Sequence, residues 1–286
     1  MSQVVEMPDQ EPTPSPRYAA VIRAYQCTPL LVEVMEALRR QSVPPERLII
    51  VDSSRDPAIS SQFEELGADV VTYPAEEFNF SKAINLGVAA NDQPLTLIIS
   101  SHMLIHAPDL IAKGWEAALN GGMEIVYWRH PPHRDAPHEC HHVMTRRNFD
   151  GKNGLSNTMA MIPTQLLRER PFREEVFSAE DQEWTRYYFA SHRRAMLRID
   201  TRDVGYNNPN HNAQTWSETK LLREELAIGY FVNRRLLLPD RIIMRFLRGV
   251  LATLRRRPDK ARMHFGFAWA MTKANFKQPN AKSRYF

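Results

Sequence analysis

The sequence predicts an α/β fold, a mainly parallel mixed sheet with helices on both faces, followed by a basic helical extension. Strand-length apolar segments alternate with helix-length segments from Tyr18 onward. The strand segments are continuously apolar, as strands buried on both faces are. Composition then shifts sharply: residues 234–286 carry 14 Lys/Arg against 2 Asp/Glu.

Residues 1–17 hold four prolines and no periodic apolar pattern, and are read as a disordered lead-in. The folded domain is placed at 18–215. In order it contains the strand YAAVIRAY, the helix LLVEVMEALRR, the strand RLIIVD, the helix ISSQFEEL, the strand ADVVTY, a helix from Ser81, and the strand LTLIIS, which stops at Ser100-Ser101-His102. A helix at about 108–120, the strand EIVYW, the apolar segment NTMAMIP and a helix containing Glu180 to Ala190 complete it. The stretch RHPPHRDAPHECHHVMTRR is too polar and proline-rich for regular structure and is expected to be a mobile loop over the site. Its histidines, His130 to His142, have no spacing that suits tetrahedral zinc. This is the Rossmann-type, nucleotide-binding arrangement of strands and helices.

The 286 residues, 43% hydrophobic and 24% charged, exclude disorder throughout. Two cysteines, Cys27 and Cys140, make no disulfide framework, and no run of about 18 apolar residues exists. The first residues lack a secretory pattern, so a cytoplasmic, reducing setting is expected. Residues 216–286 form a helical region in which Ile243, Phe246, Leu247, Val250, Leu251 and Leu254 make one apolar stripe, flanked by Arg241, Arg245, Arg248, Arg255 and Arg256. Such a helix either lies in the headgroup layer of an anionic membrane or packs its stripe on the domain. No nucleic-acid recognition motif accompanies the arginines, and no nucleic acid is expected as a partner.

Carboxyl ends of parallel strands share one crevice, which here gathers Arg23 and Tyr25, Asp52, Ser100 to His102, and Arg129 with His130. Tyr25 suits stacking on a base, and Asp52 suits accepting hydrogen bonds from a base or ribose. Arg23, Lys82 and Asn85 suit phosphates. Asp181, in Glu180-Asp181-Gln182-Glu183-Trp184, is the candidate general base, although acidic residues also belong in the first turn of any helix.

The chain resembles glycosyltransferase family 2, with the GT-A fold, over roughly residues 18–235. VIRAYQ resembles the opening strand, LIIVDSSRD the second strand and turn, FNFSKAINLG the helix before the metal-binding strand, and AEDQEW the Glu-Asp-x-x-Trp helix. Counterparts of VYWRHPP, LSNTMAMIP and NPNHN make rhamnosyltransferases of bacterial surface polysaccharides the most similar subset. The resemblance implies a nucleotide-diphosphate sugar donor held by Tyr25 and Asp52. It also implies a glycan or lipid-linked acceptor deprotonated by Asp181, and inversion at the anomeric carbon. Glu180, Trp184 and Asn157 fall on the acceptor side. With the basic tail, it implies a peripheral enzyme at the inner membrane face.

Two departures stand out. The family's Asp-x-Asp, which holds Mn or Mg, is here Ser100-Ser101-His102, so His102 and His211 are expected to flank the diphosphate, through a metal or by direct hydrogen bonds. Ile84 stands where relatives carry arginine, which moves a phosphate contact to Lys82 or Arg129. The alternative reading is a nucleotide-sugar-binding protein of the same fold with impaired catalysis.

Overall fold

The computed structural model describes residues 14–279 other than 132, 134 and 208–217. Strand β1 (Tyr18–Ala24) is buried along nearly its whole length and pairs in parallel with β2 (Arg47–Asp52) and β4 (Leu95–Ser100). β3 (Asp69–Thr72) extends the parallel block beyond β2. Alternate residues serve opposite faces, as the strand period of two requires: Ala20, Ile22 and Ile50 pack under α1 (Pro29–Arg39), while Val21 and Val51 meet α3 (Phe80–Ala90). α3 lies so close that a side chain at Gly87 would sit 2.3 Å from a Val21 methyl.

Each early helix starts at a side-chain cap. Thr28 accepts from the Leu31 amide, Asp56 from Ala58 at the head of α2 (Pro57–Glu65), and Asn79 from Lys82 at the head of α3.

Beyond β4 the sheet becomes mixed. Its order is β3-β2-β1-β4-β8-β6-β9-β7, with β8 (Met159–Pro163) antiparallel between β4 and β6 (Val126–Arg129). Because β4 and β6 both oppose β8, they point the same way. The ends of β1, β2, β4 and β6 therefore open on one edge, as expected. β9 (Met196–Thr201) runs parallel to β6, and β5 (Met103–Ile105) pairs with β10 (Val204–Tyr206) in a separate two-stranded sheet. Helices α4 (Leu110–Asn120), α5 (Thr164–Glu169) and α6 (Glu180–Ser191) complete the domain.

The histidine-rich stretch is not all loop. Glu139–Met144 forms the edge strand β7, antiparallel to β9. Its polarity is tolerated because an edge is solvated, and the imidazoles face acids: His141 with Glu139 at 2.8 Å and His142 with Asp200 at 3.3 Å.

After α7 (Glu218–Ala227) the chain makes a wide turn at Ile228–Val232, then enters the hairpin α8 (Pro239–Leu254) and α9 (Pro258–Ala274). Gly249 lets α8 lie against Phe265, and Leu237 joins Met271 and Ala274 in a small apolar cluster. The predicted stripe does not pack on the domain. Ile243, Phe246, Leu247 and Leu251 are each about half exposed, and Leu254 more so. Among the described residues no helix is long and apolar enough to cross a membrane.

Candidate active site

The crevice begins with Arg23, whose β-register places it between Val51 and Ser100. Its guanidinium lies 5.2 Å over the Phe80 ring, and Nη1 is buried without a hydrogen bond. Tyr25 stands exposed just beyond. Asp52 is only 1% exposed, and its carboxylate is already engaged: Oδ1 accepts from the Ser54 amide at 2.7 Å, and Oδ2 from the hydroxyls of Ser54 at 3.0 Å and Ser60 at 2.6 Å. Here Asp52 orders the turn into α2, and a donor contact requires it to use a remaining lone pair or exchange one of these bonds.

At the end of β4, His102 is partly buried, with Nδ1 lacking a partner and its ring edge-on to Tyr206. Desolvation, then the charge of Arg23, holds its pKa below the ordinary imidazole value, so the ring is neutral at physiological pH. His211 lies outside the described residues. Hard divalent cations prefer anionic oxygen ligands, whereas this strand end offers two hydroxyls and one imidazole. Among the described residues no three His, Cys, Asp or Glu side chains cluster as a metal site would need. The described donors do not fit Mn or Mg.

α6 brings the acid to this edge. Glu180 is buried; its Oε1 accepts from Asn157 Nδ2 at 3.0 Å and lies 3.9 Å from Arg23 Nη1, while Oε2 has no hydrogen bond. Asp181 accepts from the amides of Gln182 at 2.7 Å and Asn157 at 3.4 Å. Burial, then the neighbouring Glu180 charge, pushes its pKa up to about 7 despite those two amides. Asp181 lines a cavity of about 240 Å³ with Arg129, Lys152, Ser156 and Ser178. Ser178 holds a left-handed φ of 53°, a strained backbone just before the helix.

The loop facing Asp181 is clamped by α6 itself. Gln182 accepts from the Gly154 amide at 3.0 Å and donates to the Leu155 carbonyl at 2.8 Å, and Thr185 accepts from the Leu155 amide at 2.9 Å. Sequence reasoning missed Gln182, Thr185, Lys152 and Ser178. Only the one-turn spacing of Thr185 from Asp181 offered a hint, and that for Thr185 alone.

Three candidates are not placed for the contacts expected of them. Trp184 is fully buried: its indole N–H donates to the Arg170 carbonyl at 2.7 Å and its ring stacks on Tyr188, so it belongs to the core and walls no acceptor. The amide of Asn85 is held by the Phe172 backbone, accepting at 2.9 Å and donating at 2.8 Å, which uses half of its capacity. Lys82 is ion-paired with Glu77, which raises its pKa, so a phosphate contact requires it to exchange that partner.

An α/β sheet whose parallel strand ends form a charged crevice, closed by a carboxylate-bearing helix, is the GT-A arrangement. Residues 19–179 match the family model described as glycosyl transferase family 2, and the chain belongs to that family. Several solved structures share the fold. TarS residues 1–349 of S. aureus is 14% identical, with a TM-score of 0.54 over 88% of this chain and 91% of that one. A mannosyltransferase of Pyrobaculum calidifontis, in complex with GDP-Man and Mn2+, is 16% identical, with a TM-score of 0.56 over 93% and 74%. Glucosyl-3-phosphoglycerate synthase of Mycobacterium tuberculosis, in complex with Mn2+, UDP-Glc and phosphoglyceric acid, is 16% identical, with a TM-score of 0.53 over 75% and 80%. A comparison with curated proteins found no match.

Proposed function

We propose that this glycosyltransferase is an inverting hexosyl- or deoxyhexosyltransferase. It moves a sugar from a nucleotide-diphosphate donor to a hydroxyl of a glycan or lipid-linked acceptor in surface polysaccharide synthesis. The nucleotide sugars in the similar structures support the donor class. The reading rests on Asp181, a carboxylate beside a cavity whose proton affinity is matched to neutral pH.

In the proposed step Asp181 takes the proton of the acceptor hydroxyl, and that oxygen forms its bond to the anomeric carbon from the face opposite the diphosphate. The anomeric carbon–oxygen bond breaks, and both its electrons leave with the nucleoside diphosphate. The charge that develops there meets Arg23, whose buried Nη1 has no hydrogen bond, with Arg129 at the Asp181 cavity wall. Glu180 holds Asn157 and faces Arg23, and of the other acids lining the cavity Glu225 is paired with Lys152 and Arg245 while Glu224 stands beside Ser178; Asp181 is assigned the base role for its raised proton affinity.

The exposed stripe of α8 and its flanking arginines support a peripheral site of action at an anionic, cytoplasmic membrane face. Each basic residue near such a surface contributes about 1 kcal/mol before screening. The competing reading, a nucleotide-sugar-binding protein without turnover, draws on the missing carboxylates at the end of β4.

The deciding experiment measures nucleoside-diphosphate release from a panel of UDP and GDP sugars with acceptor extracts. Asp181→Asn should lower turnover by at least about 100-fold while leaving nucleotide binding nearly intact. Unchanged turnover removes Asp181 as the base, and a wild-type chain that binds donors without releasing product favours the competitor.

A further inference from the structure

A second cavity, of about 570 Å³, lies apart from the one beside Asp181. It lies on the outer side of α6, between the turn after β7 and the segment that leads into α8. Arg146, Arg147, Arg186 and Arg235 line it over a floor that includes Phe149 and Phe189. Among the described residues, no carboxylate lies within 4 Å of any of these four guanidinium groups, whereas Arg170, Arg173, Arg198 and Arg245 elsewhere all have acids. The one acid in the lining, Asp150, turns its Oδ1 to the amides of Lys152 and Asn153 at 2.7 and 3.1 Å.

All four arginines are exposed, so solvent screens part of their mutual repulsion, and an anion seated between them would relieve the rest. The loops that carry them are held in place. Asn148 accepts from the Thr145 amide at 2.7 Å and donates to the Val143 carbonyl at 2.9 Å. Asn233 donates to the Asp150 carbonyl at 3.0 Å and accepts from the Arg235 amide at 3.2 Å. Arg186 is partly committed, donating to the Phe231 carbonyl. Gly151, at φ 97°, allows the tight passage beneath Asn233.

We propose that this cavity is a binding site for an organic phosphate, separate from the donor crevice. Guanidinium forks match phosphate oxygens in pairs, and the phenylalanine floor takes the group the phosphate carries. The volume falls in the range of small-molecule sites, roughly 300–1,000 Å³. Lys152 lines the inner cavity and Gly151 the outer, so consecutive residues of one strap border both. A phosphorylated glycan, a lipid headgroup and a free organic phosphate all carry this chemistry.

The test uses the full chain, with binding of phenyl phosphate followed by calorimetry and phosphorus NMR. Arg147→Gln/Arg235→Gln should weaken binding by about tenfold or more, as expected for losing charge-assisted hydrogen bonds. Thermal melting confirms that the variant is folded, and the single variant Arg147→Gln should show an intermediate effect. Vesicles of phosphatidic acid in neutral lipid form the second arm. Loss of phenyl phosphate binding alone supports the site with a soluble or glycan phosphate, and loss of both supports it with a lipid headgroup. Equal binding of phenyl phosphate by wild type and double variant, or no binding by either, overturns the proposal.

Discussion

Arg23, at the end of β1, lies 3.9 Å from Glu180 at the start of α6, which joins the sheet edge to the helix that carries Asp181. The same Glu180 raises the proton affinity of Asp181. One carboxylate thus faces the donor side and adds to the basicity that burial gives the other.

The acidic limb of the pH–rate profile follows from this pairing. A base with a pKa of about 7 is protonated as pH falls below it, so transfer should decline on the acid side of neutrality. Glu180→Gln keeps an oxygen for Asn157 but removes the charge, and should move that limb to lower pH. An unmoved limb would show that Glu180 does not set the basicity of Asp181.

Stability should show the opposite face of the same shift. The folded-state pKa of Asp181 is raised above its ordinary value of 3.8, so its contribution is fully present below that value and is lost as pH rises through about 7. Asparagine cannot ionise. Asp181→Asn should therefore melt above wild type at about pH 8, with the gap closing towards about pH 4. A gap that is independent of pH contradicts the buried-acid assignment.

Trp184 separates a core role from an acceptor role. Trp184→Ala should cost about 3–5 kcal/mol of stability. Trp184→Phe fills most of the space and should keep acceptor preference while lowering the melting temperature. Altered acceptor choice at wild-type stability would return the indole to the acceptor wall.

The α8 stripe yields a membrane test. Leu247→Glu/Leu251→Glu changes two half-exposed positions, so the fold should survive. Sedimentation with anionic vesicles should fall to the level seen with neutral vesicles, while donor binding stays unchanged. Retained anionic-lipid binding would mean that the stripe is not the contact.

Much of the fold was legible because its signals are local. Continuous apolar runs marked β1, β2 and β4, and helical spacing marked α1, α3 and α8. β7 escaped because an edge strand needs no apolar run when acids from β9 and its own chain pair with its histidines. β9 and the reversal of β8 escaped because strand direction depends on long-range pairing.

The site was legible as residue types at strand ends, not as contacts. Asp52 and Asn85 carry the right groups, yet Ser54, Ser60 and the Phe172 backbone already occupy much of their hydrogen-bonding capacity. The four arginines around the outer cavity are scattered from 146 to 235, and no spacing rule links them.

The sequence by itself determined the alternation of buried strands and amphipathic helices, and with it the edge where the strand ends gather, because hydrophobic periodicity acts within each segment. Tertiary structure decided which side chains face that edge. Asp181 and Trp184 lie one helical turn apart, yet the first reaches a cavity while the second is covered by the Arg170–Phe172 segment. How far a helix end projects beyond its neighbours is set by distant packing, which no local pattern records.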